Sequence, residues 1–198
     1  MKLDIPAGDF AGYIFDCDGT LADTMPLHWR AWQAVAKRHK FHFPEDRFYS
    51  LGGVPSRDIL KMLGEEQGIK LDHLAVAHEK ESEYLPLIAQ VEPINTVVGV
   101  AREYYGKIPL AVASGGTHAI IEQVLQHLGI RQLFNAVVTS EDVVNQKPAP
   151  DIFLEAARRI GVPPQFCRGY EDTDLGMQAI RDAGMEAVDV RLLRINGR

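Results

Sequence analysis

The sequence predicts an α/β protein: a parallel sheet wrapped by helices and interrupted once by an all-helical insertion. Three observations carry this expectation. Short apolar runs of strand length recur along the chain, as "FAGYIF", "KIPLAVAS", "NAVVTS", "FCRGYED" and "EAVDV". From the second run onward, amphipathic helical segments alternate with these runs, as in parallel sheets joined by crossover helices. Between the first and second runs the alternation fails, and residues 25–91 read as almost wholly helical. The chain therefore divides into a core, 1–24 and 92–198, and an inserted helical unit, 25–91.

Taken in order, the first run spans residues 10–15 and stops at Asp16, the pattern of a buried strand. "PLHWRAWQAVAKRHK" places Pro26 in a first helical turn, and His28, Trp32 and Val35 are spaced to share a face. "SRDILKMLGEEQG" opens on a serine suited to capping and closes on a glycine. "LDHLAVAHEKESEYLPLIAQ" is a third helical stretch, with Lys80 four residues from both Val76 and Tyr84. The run ending at Ser114 is followed by the helix "HAIIEQVLQHLG" and by "NAVVTS". "KPAPDIFLEAARRIG" is a proline-initiated helix. "FCRGYED", the helix "DLGMQAIRDAG" and the strand "EAVDV" follow. Arg168 and Gly169 are unusual in a buried strand, which predicts either one solvated face or unusual packing there. The basic "RLLRINGR" reads as a frayed tail.

The polar residues gather at strand ends. Asp16 closes the first strand, Ser114 the second, and Glu171-Asp172 a later one. In open parallel sheets ligands bind beyond the carboxyl ends of the strands, so these residues would meet on one edge. The helical insertion leaves from that same edge and could cover it. Four acids together, Asp16, Asp18, Glu171 and Asp172, need neutralisation, and oxygen-only ligation points to Mg²⁺. Facing them are a hydroxyl (Ser114), backbone N–H groups at a helix start (Gly115, Gly116) and a lysine flanked by prolines (Lys147). Those are phosphate-binding groups. Acids and a metal opposite phosphate donors imply phosphoryl transfer. The Asp-x-Asp spacing allows one carboxylate to attack while the second handles protons.

These residues, "DCDGT", Ser114 after a strand, Lys147 before Pro148, and Glu171-Asp172 ahead of "DLGMQAIRDAG", resemble the motifs of the haloacid dehalogenase-like (HAD) phosphohydrolase superfamily. The insertion, with "HWRAW" and "GGVPSRDIL", resembles the cap of its beta-phosphoglucomutase-like branch. "KPAPDIF" with "AVDVRLL" looks closer still to bacterial fructose-1-phosphate phosphatase-like members. The resemblance implies a Rossmann-like core and a Mg²⁺-dependent phosphatase of small phosphorylated metabolites, sugar phosphates such as fructose-1-phosphate among them. It implies Asp16 as nucleophile forming an aspartyl-phosphate and Asp18 as general acid/base. Mg²⁺ would be held by Asp16, Asp18 (through its carbonyl), Glu171 and Asp172, and phosphate by Ser114, Gly115 and Lys147. In the cap, His28, Arg57 and Lys80 match positions that engage substrate in mutase relatives. The chain ends soon after "AVDV", which favours the phosphatase subgroup. A beta-phosphoglucomutase-type phosphohexomutase is the alternative. A dehalogenase needs no metal, and the retained acids argue against one.

Some residues read as structural. Asp23 serves as a cap or turn acid ahead of Pro26. Cys17 has acidic neighbours that raise a thiol pKa, and a Cys17–Cys167 disulfide is excluded by an expected separation of about 10–15 Å. The remaining histidines lack metal-ligand spacing. A net charge of −6 offers no footprint for nucleic acid or an anionic membrane. With no apolar run of membrane length and no signal-like start, the expectation is a cytoplasmic protein, acting as a monomer on a small phosphorylated molecule.

Overall fold

A computed structural model describes residues 10–194. Its five strands are β1 (Gly12–Phe15), β2 (Leu110–Ala113), β3 (Ala136–Val138), β4 (Cys167–Glu171) and β5 (Glu186–Asp189). They form one sheet in the order β3-β2-β1-β4-β5, with every pairing parallel. Phe15 is in register with both Val112 and Tyr170, so β1, β2 and β4 run out at one level. Both faces of the sheet are covered, which is why β1 and β2 read as unbroken apolar runs rather than alternating ones. On one face Tyr13, Phe15, Val112 and Tyr170 pack against α5 (Asn95–Tyr104) and α6 (His118–His127). On the other, Ile14, Ala111 and Ala113 meet α7 (Asp151–Ile160) and α8 (Asp174–Asp182).

Between β1 and β2 lie α1 (Met25–His39), α2 (Glu45–Ser50), α3 (Ser56–Gln67), α4 (His73–Tyr84) and a 3-10 turn, Leu85–Gln90. They hold a separate apolar cluster built on Trp32, Val35, Phe48, Leu60, Leu63 and Val76. Helix α1 joins the two: Leu27 and Ala31 belong to the sheet's cluster, whereas Met25, Trp32 and Val35 belong to the insertion's. No helix among the described residues is long and apolar enough to cross a membrane.

Several expectations need correction. Helix α5 was not foreseen, and α2 was not distinguished within the stretch 25–91 read as helical. Ser56 is not a cap but the first helical residue, with Pro55 before it and no side-chain bond at that end. Helix α4 ends at Tyr84, and the chain tightens to 3-10 around Pro86, which has no N–H to continue the α pattern. Asp23 does not cap α1; Thr24 holds that position, and its hydroxyl turns elsewhere. Strand β4 is buried throughout, so the unusual packing, not a solvated face, accommodates its odd residues. The Arg168 guanidinium lies 4.0 Å from the Phe10 ring centre and 5.8 Å from that of Tyr13. Opposite it, Gly169 admits Ile180, whose Cδ1 would stand 2.7 Å from any Cβ there. The tail is not frayed throughout: Arg191–Arg194 forms a short helix, α9, anchored by Arg191 on Asp189. Residues 195–198, like 1–9, lie outside the described residues. Both cysteines are buried and free, as expected.

Candidate active site

The carboxyl edge of the sheet builds the site from its backbone outward. The Asp16 N–H donates to the Tyr170 carbonyl at 3.0 Å, extending the β1–β4 ladder by one residue. The chain then turns sharply, with the N–H groups of Thr20, Leu21 and Ala22 all donating to the Cys17 carbonyl. Gly19 sits at φ +85°, and a Cβ there would fall 2.1 Å from Asp172 Oδ2. Only glycine lets this turn close over that carboxylate.

Lys147 stands at the centre. Its Nζ donates to Asp16 Oδ1 and to Glu171 Oε2, each at 2.7 Å, with all three groups buried. Glu171 Oε1 accepts from the N–H groups of Asp172 and Thr173 and from the Thr173 hydroxyl. Gly176 leaves room for it, because a Cβ at 176 would lie 2.1 Å from Oε2. Thr20 donates to Asp172 Oδ1 at 3.0 Å. One oxygen each from Asp16, Glu171 and Asp172 lie within 4.8 Å of one another. Oxygens around one Mg²⁺ stand about 3–4 Å apart, so this donor set fits the ion after a small contraction.

Asp18 faces away from that cluster. Its Oδ1 accepts from the Thr24 hydroxyl at 2.7 Å and lies 3.3 Å from His28 Nε2. Its Oδ2 accepts from the Ser114 hydroxyl at 3.3 Å, and Ser114 Oγ in turn accepts from the Gly116 N–H. His28 stacks on Tyr84 with ring centres 3.7 Å apart, and its Nδ1 lies 3.0 Å from Lys80 Nζ. An ionised carboxylate only accepts and an ammonium only donates, which assigns the hydrogen to Nε2 and leaves Nδ1 as acceptor. The donor chain runs Lys80 to His28 to Asp18.

The electrostatics split the two leading acids. Burial, and then the Glu171 charge, push the Asp16 carboxyl well above its ordinary range, against the pull of Lys147. Burial also raises Asp18, but bonds from His28 and Thr24 and the charge of Lys80 outweigh it and hold Asp18 at about 2. Lys80 is drawn down to about 8 by burial, opposed by Asp18 and Glu81. For Lys147 burial also lowers, yet Asp16 and Glu171 overcome it and push the ammonium above its ordinary value. Burial, ahead of Asp18 and Asp16, raises the Cys17 thiol.

The helical insertion closes over this edge and leaves a cavity of about 460 Å³, lined by Asp16, Asp18, His28, Arg57, Lys80 and Gly115 among others. The closure is tight at Gly115, where a Cβ would stand 2.2 Å from the Gly53 carbonyl oxygen. Of the residues singled out from the sequence, Asp16, Asp18, Ser114, Lys147, Glu171 and Asp172 converge at the sheet edge, and His28 and Lys80 join them through Asp18. Arg57 does not join the network; its half-exposed side chain lies 3.7 Å from Asp58 on the cavity wall. Sequence reasoning missed Thr20, Thr24 and Thr173, which fix the three carboxylates, and Gly53, which seals the closure. Thr173 carried a signal, since a threonine three residues before Gly176 at a helix start is a common cap, and it does accept from the Gly176 N–H. Thr20 and Gly53 lie within "DCDGT" and "GGVPSRDIL" but were not singled out there, and Thr24 carried no signal.

Comparison with known proteins points to one family. The family model described as haloacid dehalogenase-like hydrolase matches residues 13–190. The chain is 44% identical over 185 residues to the Fructose-1-phosphate phosphatase YqaB of Escherichia coli (strain K12), covering 93% of this chain and 98% of that one. It is 31% identical over 186 residues to the Beta-phosphoglucomutase of Bacillus subtilis (strain 168), covering 89% and 81% respectively. Among solved structures, a beta-phosphoglucomutase from Clostridium difficile superposes with a TM-score of 0.83 at 28% identity, covering 93% of this chain and 87% of that one.

Proposed function

This chain belongs to the haloacid dehalogenase-like hydrolase family and is a phosphatase; on that premise we propose that it hydrolyses phosphate monoesters of small sugars through an aspartyl-phosphate on Asp16. The observation that carries the mechanism is the opposite setting of two acids two positions apart. Asp16 lies beside an ammonium and two further carboxylates, whereas Asp18 faces the cavity and the insertion.

In the first step an Asp16 carboxylate oxygen, ionised against the Lys147 ammonium once the neighbouring acids are neutralised, forms a bond to phosphorus as the bond from phosphorus to the sugar oxygen breaks. Asp18, protonated, gives its proton to that departing oxygen. In the second, a water oxygen bonds to phosphorus as the Asp16 acyl oxygen leaves, and the Asp18 carboxylate takes the water's proton. Sugar and inorganic phosphate are released, and both acids return to their starting states. Ser114, the N–H of Gly115 and Lys147 would orient the phosphoryl oxygens. The side chains of Asp16, Glu171 and Asp172 and the carbonyl of Asp18 would hold Mg²⁺, which would supply positive charge against the phosphoryl group. The donors that keep Asp18 ionised, Thr24 and His28, sit at the start of α1, so its protonation is tied to the position of residues 25–91, which we take as a cap over the core formed by 1–24 and 92–198.

Fructose 1-phosphate is the first substrate to test, given the relative at 44% identity. The same reading has the enzyme acting as a cytoplasmic monomer on small phosphorylated metabolites. Purified protein with Mg²⁺ should release phosphate from fructose 1-phosphate without forming an isomerised hexose phosphate. Asp16→Asn should abolish turnover while sparing the fold by circular dichroism, and retained turnover would remove Asp16 as nucleophile. Glucose 6-phosphate made from beta-glucose 1-phosphate only with a bisphosphate primer would replace the phosphatase reading with the mutase one.

A further inference from the structure

Asp18 can serve the departing oxygen only if its carboxyl is held in place, and His28 is one of the groups that hold it. Each imidazole nitrogen is committed: Nε2 lies 3.3 Å from Asp18 Oδ1, and Nδ1 lies 3.0 Å from Lys80 Nζ. Turning the ring about its bond to Cβ would break both contacts at once. That torsion is soft in histidine, because a bond from a tetrahedral carbon to a flat ring has no sharp staggered wells. A neighbour has to fix the plane.

Tyr84 is that neighbour. Its ring lies flat against the imidazole, with centres 3.7 Å apart and planes 18° from parallel. The Lys80 ammonium lies 5.6 Å from the centre of the same ring. One ring therefore contacts both members of the donor chain that ends on Asp18. Tyr84 closes α4, so it belongs to the insertion by sequence, yet its side chain is fully buried in the sheet's cluster with Cys17, Leu21 and Ala22. By packing, the platform belongs to the half of the molecule that holds Asp18. Its contacts come from the ring alone, since the hydroxyl is buried with no hydrogen-bond partner among the described residues. Tyr84 is also absent from the cavity lining, so it does not touch the substrate.

We infer that Tyr84 is a positioning residue: its ring fixes the plane of His28 and, through His28, holds Asp18 where that acid protonates the departing sugar oxygen. This rests on the phosphatase reading above and deepens it. A side chain outside the cavity then governs how well the enzyme expels a poor leaving group.

Two substrates with opposite needs separate this role from simple packing. Fructose 1-phosphate loses a sugar oxygen that needs a proton as it departs, whereas p-nitrophenyl phosphate loses a phenolate that needs none. Both kcat/KM values report phosphoryl transfer to Asp16, and their ratio does not depend on how much of a preparation is folded. Tyr84→Leu removes the ring and should lower kcat/KM for fructose 1-phosphate by about ten- to a hundredfold, the scale of a misplaced proton donor. With p-nitrophenyl phosphate the loss should stay below about threefold. Tyr84→Met repeats the measurement should Tyr84→Leu not fold. Tyr84→Phe keeps the ring and should return the ratio to within about threefold of the wild type, with thermal stability no lower because an unpartnered buried hydroxyl is gone. In a His28→Ala background, Tyr84→Leu should leave the ratio unchanged, because the effect passes through His28.

Equal losses on both substrates would make Tyr84 a packing residue only. A full effect in the His28→Ala background would remove the route through His28, and a Tyr84→Phe variant as impaired as Tyr84→Leu would move the role to the hydroxyl. Each of these overturns the inference and leaves the phosphatase reading intact. No hydrolysis of fructose 1-phosphate or any other sugar phosphate by the wild type would instead remove the phosphatase reading, and this inference with it.

Discussion

Lys147 and Lys80 are both buried ammonium groups in the same site, one from the core and one from the helical insertion, and their surroundings treat them in opposite ways. Lys147 is clamped at 2.7 Å between two buried carboxylates, which push its pKa up despite burial. Lys80 rests near the rings of Trp32 and Tyr84, with a neutral imidazole as its nearest polar partner, and burial draws it down to about 8. A charge held by two opposite charges is a fixed part of the fold. A charge held by an imidazole and two rings is available for a substrate and needs little from the fold. The core half of the site is therefore built to stay, and the insertion half to respond.

This contrast can be broken directly. Lys147→Met should lower kcat/KM by about a thousandfold or more by removing a charge aimed at the reacting group. It should also destabilise the protein by about 3–5 kcal/mol, since Asp16 and Glu171 are left buried without their cation. Lys80→Met should reduce kcat/KM by up to about a hundredfold through mispositioned His28 and Asp18, with stability in denaturant unchanged or raised because a desolvated ammonium is gone. Equal destabilisation by the two variants would dissolve the distinction.

A smaller effect is expected where the halves touch. Gly115→Ala places a methyl group 2.2 Å from the Gly53 carbonyl and should hold the insertion away from the core. Both kcat and KM should change, by about tenfold together, with stability moving by less than about 1 kcal/mol. A change in stability without a change in kinetics would mean that the contact is structural only.

The smallest effect lies outside the site, on the surface pairs of α7, where Arg159 binds Glu155 and Asp142. Hydrogen bonds from Arg158 and Arg159 hold Glu155 at about 2, and Asp142 is also lowered, burial opposing and Arg159 and Thr139 prevailing. Depressed carboxylates add stability that is fully present above their unfolded pKa, about 4, and is lost as pH falls toward the folded value. Solvent screening limits the contribution to about 1 kcal/mol. Arg159→Met should thus show a small loss in urea unfolding at pH 7 that shrinks toward pH 2. A loss as large as that of Lys147→Met would show that burial is not what separates the two lysines.

The core of the site was legible because chemistry interrupts a simple pattern there. Asp16, Ser114 and Glu171 each stand where an apolar run stops, and a parallel sheet brings all such stops to one edge. The insertion was harder to read. His28 shares a helix face with Trp32 and Val35, and the structure makes it both a packed residue, stacked on Tyr84, and a partner of Asp18. Periodicity alone does not separate those roles. Helix α5 was missed because Thr96, Val97, Val98, Gly99 and Val100 are poor helix formers, and burial of Val97, Val98 and Ala101 against the sheet overrides that preference. Helix α2, at six residues, is too short to show a period. Arg168 left two readings open, a solvated face or unusual packing, and its stacking on aromatic rings bears out the second.

The position of β1 in the middle of the sheet also bears on how the chain is made. It emerges from the ribosome first, but both of its neighbours, β2 and β4, follow much later. Lys147 lies 131 residues beyond Asp16, and Asp172 lies 152 beyond Thr20. Until they arrive, an apolar strand with two open edges waits beside acids that have no counter-charge, the kind of segment that aggregates or engages chaperones. The helical insertion follows β1 at once and carries its own apolar cluster, so it can bury apolar surface before β2 and β4 are made. Pairing of β4 with β1 then covers the last open edge of β1 and brings Glu171 up to Lys147, so one late event in synthesis both joins the two sides of the sheet and assembles the candidate site.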